Sequence, residues 1–349
     1  MQATVFHATR DVRVETVPDP TILEPTDALV RVVNAAICGS DLWFYRGINA
    51  WEPGWRTGHE YTGVVEAVGA AVTSVKPGDF VIAPFSYSDG SCEFCDEGLF
   101  TSCPHLGFWG GSGGNDGGQG EFVRVPYADA VLVVVPADVA AQPEKRAALL
   151  ALTDVMGTGY HGALSAGAAP GRIVAVIGDG AVGLCAVQAA KVLGAERIIA
   201  IGHHAGRLQI ARDFGATDIV DSAAPDAAAS VVELTKGGAH SVVEAVGNQD
   251  TMDFATTVVR SGGKICFVGV PATIKTIDFG RLFMDNVSVR GGIAPVRGYI
   301  PRLLDDLAAN RIDPAPVFSL RLPLAQSPEG YAAMDERRAI KVILDVGTA

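Results

Sequence analysis

Positive charge is scarce in this chain: 27 lysines and arginines stand against 39 aspartates and glutamates in 349 residues, a formal net charge of −12. A surface that neutralises nucleic-acid phosphates needs clustered cations, so nucleic acid is not an expected partner. Long apolar runs are missing too. The most apolar stretch, residues 173–195, is interrupted by Asp179, Gly180, Gly183 and Lys191, which makes it a buried strand and helix rather than a bilayer span. No membrane role follows, and small molecules are the expected partners. The first dozen residues contain Arg10 and Asp11 and no apolar core; neither a secretory nor a transit segment is read there, and the expected location is the cytoplasm. Cysteine is limited to six residues. In a cytosolic chain these read as metal ligands or buried apolar groups before they read as disulfides.

A hydrophobic content of 48% with 19% charged residues suits a compact chain of two cores. Residues 3–136 run as short alternating or apolar segments (12–17, 28–37, 61–68, 80–85) punctuated by Gly and Pro, a β-rich pattern. A helical segment spans 146–166. Strand and helix then alternate through 172–177, 181–193, 197–201 and 207–214, and again through 218–220, 227–236, 241–244, 250–260 and 264–269. That periodicity predicts a Rossmann-like parallel sheet with helices on both faces. Gly107 to Gly120 is the one odd composition; with no strand leading into a helix it reads as a flexible loop. Cys185 and Cys266 sit in apolar helix and strand patterns and read as core packing.

Two constellations carry chemistry. Gly178-Asp179-Gly180-Ala181-Val182-Gly183 follows an apolar strand and opens a helix, the context in which G-x-G-x-x-G binds a dinucleotide. Gly178 permits the tight turn, Gly180 lets backbone approach a pyrophosphate, and Gly183 allows close helix packing, with helix N-terminal N–H groups facing the anion. The end of the second strand, where an acid would hold the ribose 2′-hydroxyl, is Gly202, followed by His203, His204 and Arg207. These cannot repel a 2′-phosphate, so NADP(H) is the expected cofactor. The second constellation is Cys38, Gly58-His59-Glu60 and Asp154. A thiolate, an imidazole and a carboxylate can hold zinc with its fourth position open, as catalytic sites require. Their spacing matches no short motif by itself.

Taken with Cys38-Gly39-Ser40-Asp41 and the cluster Asp89-x2-Cys92-x2-Cys95-x7-Cys103, these motifs resemble, over nearly the full length, the zinc-dependent alcohol dehydrogenases of the medium-chain dehydrogenase/reductase superfamily. The resemblance implies an α/β chain with a GroES-like β-rich catalytic domain (1–153 and 295–349) around a Rossmann doubly wound parallel sheet (154–294). It implies Cys38, His59 and Asp154 as ligands of a catalytic zinc with Glu60 beside it, and Asp89, Cys92, Cys95 and Cys103 as ligands of a structural zinc. Asp41 would orient His59, and Ser40 would pass on the substrate proton. Trp43 stands where many relatives carry a relay histidine, so cofactor ribose or water is expected to complete the exit. Thr158, Val246, Val270 and Gly292 are expected near the nicotinamide, Lys341 at the pyrophosphate, and Trp43, Phe85 and Trp109 around the substrate. The activity implied is reversible hydride transfer between NADP(H) and an apolar alcohol, ketone or aldehyde, in a homodimer or homotetramer. The alternatives are an NAD-dependent polyol dehydrogenase and a non-catalytic NADPH-binding sensor.

Overall fold

The computed structural model describes residues 1–110 and 117–347. The chain divides into two compact units, Met1–Asp154 with Pro295–Ala349, and Val155–Ala294. Asp154 therefore closes the first unit, one residue beyond the break expected from the sequence.

The unit Val155–Ala294 is built on six strands: β1 (Ile173–Ile177), β2 (Arg197–Gly202), β3 (Asp218–Asp221), β4 (Ala239–Glu244), β5 (Val259–Phe267) and β6 (Ser288–Gly291). They pair in parallel in the order 3-2-1-4-5-6, the doubly wound Rossmann arrangement. Strands covered on both faces read as continuous apolar runs. Accordingly Val174, Ala175, Val176 and Ile199 are fully buried, and Ile177, Ile199, Val242 and Ile265 share one core. Each large aliphatic side chain buried in this way contributes about 1.5–3 kcal/mol. Register places Ile177 opposite both Ile201 and Glu244, so β1, β2 and β4 end side by side. The turn after β1 opens at that end.

In the other unit a seven-stranded sheet runs Phe318–Pro323, Lys341–Asp345, Ala28–Ile37, Glu60–Val68, Phe80–Ile82 and Val133–Val134, with Phe122–Val125 also pairing Ala28–Ile37. All its pairings are antiparallel except that of Phe318–Pro323 with Lys341–Asp345. Register sets the site. Ile37 pairs with Val342 and Ala36 with Glu60, so one strand ends just before Cys38 where its neighbours begin at Glu60 and Lys341.

Two segments differ from the sequence reading. The helix expected over 146–166 is two helices, Arg146–Ala151 and Val155–Ser165; the Thr153 hydroxyl donates back to the Leu150 carbonyl at 2.7 Å where the first has ended. The Gly-rich stretch begins as a strand, Gly107–Phe108, paired with Ser86–Tyr87. Its far end is anchored by Gln119, fully buried, whose amide donates to the Ala36 carbonyl and accepts from Thr57 and Tyr331. The part of the expected flexible loop at 111–116 lies outside the described residues.

Candidate metal centre and dinucleotide turn

Cys38, His59, Glu60 and Asp154 bring one ligand atom each within 4.8 Å of one another. The Cys38 thiol faces Asp154 Oδ2 at 3.3 Å, and His59 Nε2 lies 3.5 Å from the same oxygen. Asp41 sits behind them. Its Oδ2 accepts the Cys38 backbone N–H at 3.0 Å and its Oδ1 stands 3.2 Å from His59 Nδ1, leaving Nε2 to face Cys38 and Asp154. This is the way a carboxylate fixes a ligating imidazole. Ser40 is the N-cap of the short helix Asp41–Tyr45, yet its hydroxyl makes no capping bond to that helix.

The electrostatics favour a dication. Burial and the neighbouring Asp154 push the Cys38 thiol up to about 11, so the free site disfavours the thiolate that zinc would require and stabilise. Burial works to lower the pKa of His59, but Asp41, Cys38 and Asp154 outweigh it and hold it well above the ordinary histidine value. Glu60 is fully buried, pushed up to about 7 chiefly by burial, and among the described residues its Oε2 finds no hydrogen-bond partner. One thiolate and one carboxylate balance Zn²⁺, with a neutral imidazole as third donor; the residues fit the ion.

Lys341 departs from expectation. Its ammonium is 1% exposed, donates to Glu60 Oε1 at 2.5 Å and reaches the Ile37 carbonyl at 3.3 Å. It is committed to balancing Glu60 inside the sheet rather than standing free for a pyrophosphate. Burial would lower its pKa, but Glu60 and Cys38 raise it further. Trp109 is also placed differently: at 2% exposure it donates Nε1–H to the Pro84 carbonyl and packs edge-on to Tyr61, which makes it core rather than a pocket wall. Phe85 does meet the site, edge-on to His59 at 6.3 Å between ring centres and stacked on the exposed Phe108. Trp43 is half-buried on the Asp41–Tyr45 helix.

Asp89, Cys92, Cys95 and Cys103 form a second convergent group. Cys92 and Cys95 sulfurs lie 3.5 Å apart, Cys95 faces Asp89 Oδ1 at 3.5 Å, and the His105 backbone N–H points at Cys103 Sγ. Burial and Cys92 push the Cys95 thiol up to about 12. The Ser91 backbone N–H and the His105 ring hold Asp89 far below the usual carboxylate range, His105 Nδ1 being 2.6 Å from Asp89 Oδ2. Four donors closing on one point suit a structural zinc. The sequence reading passed over His105, although a histidine two positions after the last cysteine of a metal cluster was the available signal.

At the end of β1, Gly178 turns with φ +114, and a Cβ on Gly183 would collide with the Gly178 carbonyl. Gly180 faces open space as the N-cap of the helix Ala181–Val192, which Val182 continues. Val246 follows β4 against Gly178, Val270 follows β5 against Gly247, and Gly292, at φ +137, follows β6. Thr158 rides on Val155–Ser165, whose Gly162 faces Val243 of β4.

Asp179 is the residue that sequence reasoning overlooked here. Its Oδ2 accepts the backbone N–H groups of both His203 and His204 at 2.9 Å, and its oxygens stand 3.0 and 3.1 Å from His204 Nδ1. Arg207 Nη1 is 3.7 Å away. Burial opposes this carboxylate, yet the N–H and ring of His204 and the His203 N–H hold its pKa below the ordinary value. Only as the "x" of a glycine motif is it visible in sequence.

A family described as "Alcohol dehydrogenase GroES-like domain" matches residues 24–137, and one described as "Zinc-binding dehydrogenase" matches residues 181–309. An uncharacterized zinc-type alcohol dehydrogenase-like protein of Bacillus subtilis is 34% identical, covering 99% of this chain and all of its own. The solved alcohol dehydrogenase of Thermus sp. ATN1 is 38% identical with a TM-score of 0.92, covering 99% of this chain and 100% of its own. A zinc-binding dehydrogenase structure from Sinorhizobium meliloti, bound to NADP, superimposes with a TM-score of 0.84 at 27% identity, covering 99% and 98%.

Proposed function

Because this chain belongs to the zinc-dependent alcohol dehydrogenases of the medium-chain dehydrogenase/reductase superfamily, we propose that it carries out reversible hydride transfer between NADP(H) and an apolar alcohol, ketone or aldehyde. The observation that carries this reading is the convergence of Cys38, His59 and Asp154 with Asp41 locked behind the imidazole. When bound, zinc supplies Lewis acidity toward the substrate oxygen and the nicotinamide supplies or accepts the hydride. Cys38, His59 and Asp154 hold the metal, while Asp41 keeps the His59 tautomer that presents Nε2. Ser40 would accept the hydroxyl proton of an alcohol while handing its own to cofactor ribose or water as oxidation proceeds, with the reverse transfer during reduction, its hydroxyl not being spent on the helix it caps. Phe85 offers apolar surface edge-on to His59, and with Trp43 assigned as a second wall the pocket favours substrates of low polarity.

His203, His204 and Arg207 support NADP(H), since each can donate to a 2′-phosphate. Asp89, Cys92, Cys95 and Cys103 hold a second, structural zinc in this reading. Six free cysteines accord with a reducing cytoplasm. Among the described residues no helix is long and apolar enough to cross a membrane. We assign homo-oligomerisation to the open edge at β6, where Phe279, Phe283 and Met284 of the preceding helix are 74%, 82% and 75% exposed.

NADPH oxidation against a panel of ketones, aldehydes and keto-sugars, before and after zinc chelation, tests the reading. Chelator-sensitive turnover on apolar carbonyls is the expected result. Silence across the panel from zinc-replete enzyme that binds NADPH would refute it.

A further inference from the structure

We propose that Asp179 supplies, from the Gly-rich turn, the carboxylate that Gly202 cannot, and that it limits the preference for NADP(H) by accepting a hydrogen bond from the 2′-hydroxyl of NAD(H). The inference rests on the reading of this unit as a dinucleotide-binding one. In a Rossmann unit the adenosine ribose meets the C-terminal end of the second strand, and an acid there binds its diol. That strand ends at Gly202. A Cβ built on Gly202 would lie 2.6 Å from Asp179 Oδ2 and from Asp179 Cβ, so the Asp179 side chain fills the space a side chain at 202 would take. The carboxylate arrives at the expected place from the turn after β1.

Its hydrogen bonds give the direction of the effect. A 2′-phosphate at this position is ordinarily met by free backbone N–H groups and cations just past the second strand. Here the N–H groups of His203 and His204 are both taken by Asp179 Oδ2, and the His204 ring is turned onto the same carboxylate. Arg207, 3.7 Å from Oδ1, is drawn the same way. Asp179 therefore removes two donors from a phosphate and sets a negative charge beside it. Among the described residues Oδ1 is met within hydrogen-bond distance only by the His204 ring, and it retains capacity to accept from a hydroxyl. The three basic side chains and the acid oppose each other, and the enzyme accepts both dinucleotides.

The test is direct binding of NADPH and NADH, by titration calorimetry, to zinc-loaded wild type and Asp179→Asn. The asparagine oxygen can still accept the His203 and His204 N–H groups, so the turn is kept while the charge is lost. Wild type is expected to bind the two within about tenfold of each other. The variant should move the ratio of dissociation constants toward NADPH by at least about tenfold, equivalent to about 1.4 kcal/mol, with NADH weakened. A change below twofold, or one toward NADH, overturns the proposal, as does a wild-type preference for NADPH above a hundredfold. Wild type that binds neither nucleotide instead refutes the dinucleotide reading beneath it. If Asp179→Asn does not fold, Asp179→Ser, which also removes the charge, must shift the ratio in the same direction.

Discussion

Removing the cation from the buried pair between Lys341 and Glu60 exposes how the sheet end is held together. The two side chains are 1% and 0% exposed and 2.5 Å apart. Lys341→Met keeps most of the volume but leaves the Glu60 carboxylate buried, with Oε2 already unpartnered. Breaking one half of a buried ion pair costs about 3–5 kcal/mol. For a domain of this size that lowers Tm by roughly 6–20 °C. The loss depends on pH in a defined direction. Burial, first, and Asp154 raise the folded Glu60 pKa from 4.5 to about 7, against the pull of Lys341. A carboxyl raised on folding favours the native state fully below its unfolded pKa, and that contribution is lost as pH rises through the folded value. Without Lys341 the folded pKa moves higher still. Lys341→Met should therefore be close to wild type in acid, where Glu60 is protonated, and most destabilised above neutrality. The double variant Glu60→Gln, Lys341→Met, which buries no charge at this pair, should recover most of the loss. Urea and thermal unfolding of the metal-free protein on either side of neutrality, where no dication lowers Glu60, decide the matter. Wild-type stability of Lys341→Met in alkali, or an equal loss at both pH values that the double variant fails to repair, would refute the reasoning.

Three further outcomes are expected. Ser40→Ala should lower kcat by about 10²–10⁴-fold and alter the pH–rate profile; an unchanged rate and profile would remove Ser40 from the proton path. Asp41→Asn should weaken zinc at the Cys38, His59, Asp154 site about 10–100-fold in chelator competition, and equal affinity would mean that Asp41 only holds the backbone at Cys38. Asp89→Ala should reduce zinc from two per chain to one and cost at least about 2 kcal/mol, roughly 4–8 °C in Tm. Active wild type carrying a single zinc by native mass would already refute the second metal.

Much of the fold was legible because it follows from local rules. The alternation of apolar strand and helix in 172–269 depends on side-chain periodicity within each element, and every strand expected there is present. The end of Arg146–Ala151 before Asp154 was not legible, since Leu152 and Thr153 suit a helix and only their place in the packed unit ends it there. Trp109 could not be told from a pocket wall by its chemistry. What decides it is the Pro84 carbonyl and the rings of Tyr61 and Tyr87 around it.

The sequence by itself determined which donors this protein owns and how its glycines must turn: Cys38, His59 and Asp154 as ligand types, Gly178 as a turn at positive φ, and Gly183 as a position where a Cβ would meet the Gly178 backbone. Those are properties of single residues and their chain neighbours. Tertiary structure alone decided which charges meet. Strand register across 281 positions puts Lys341 on Glu60, and the side-by-side ends of β1 and β2 put Asp179 into the space beside Gly202. A charge is worth what its nearest partner and its burial make it, and both are set by segments the chain brings together only on folding.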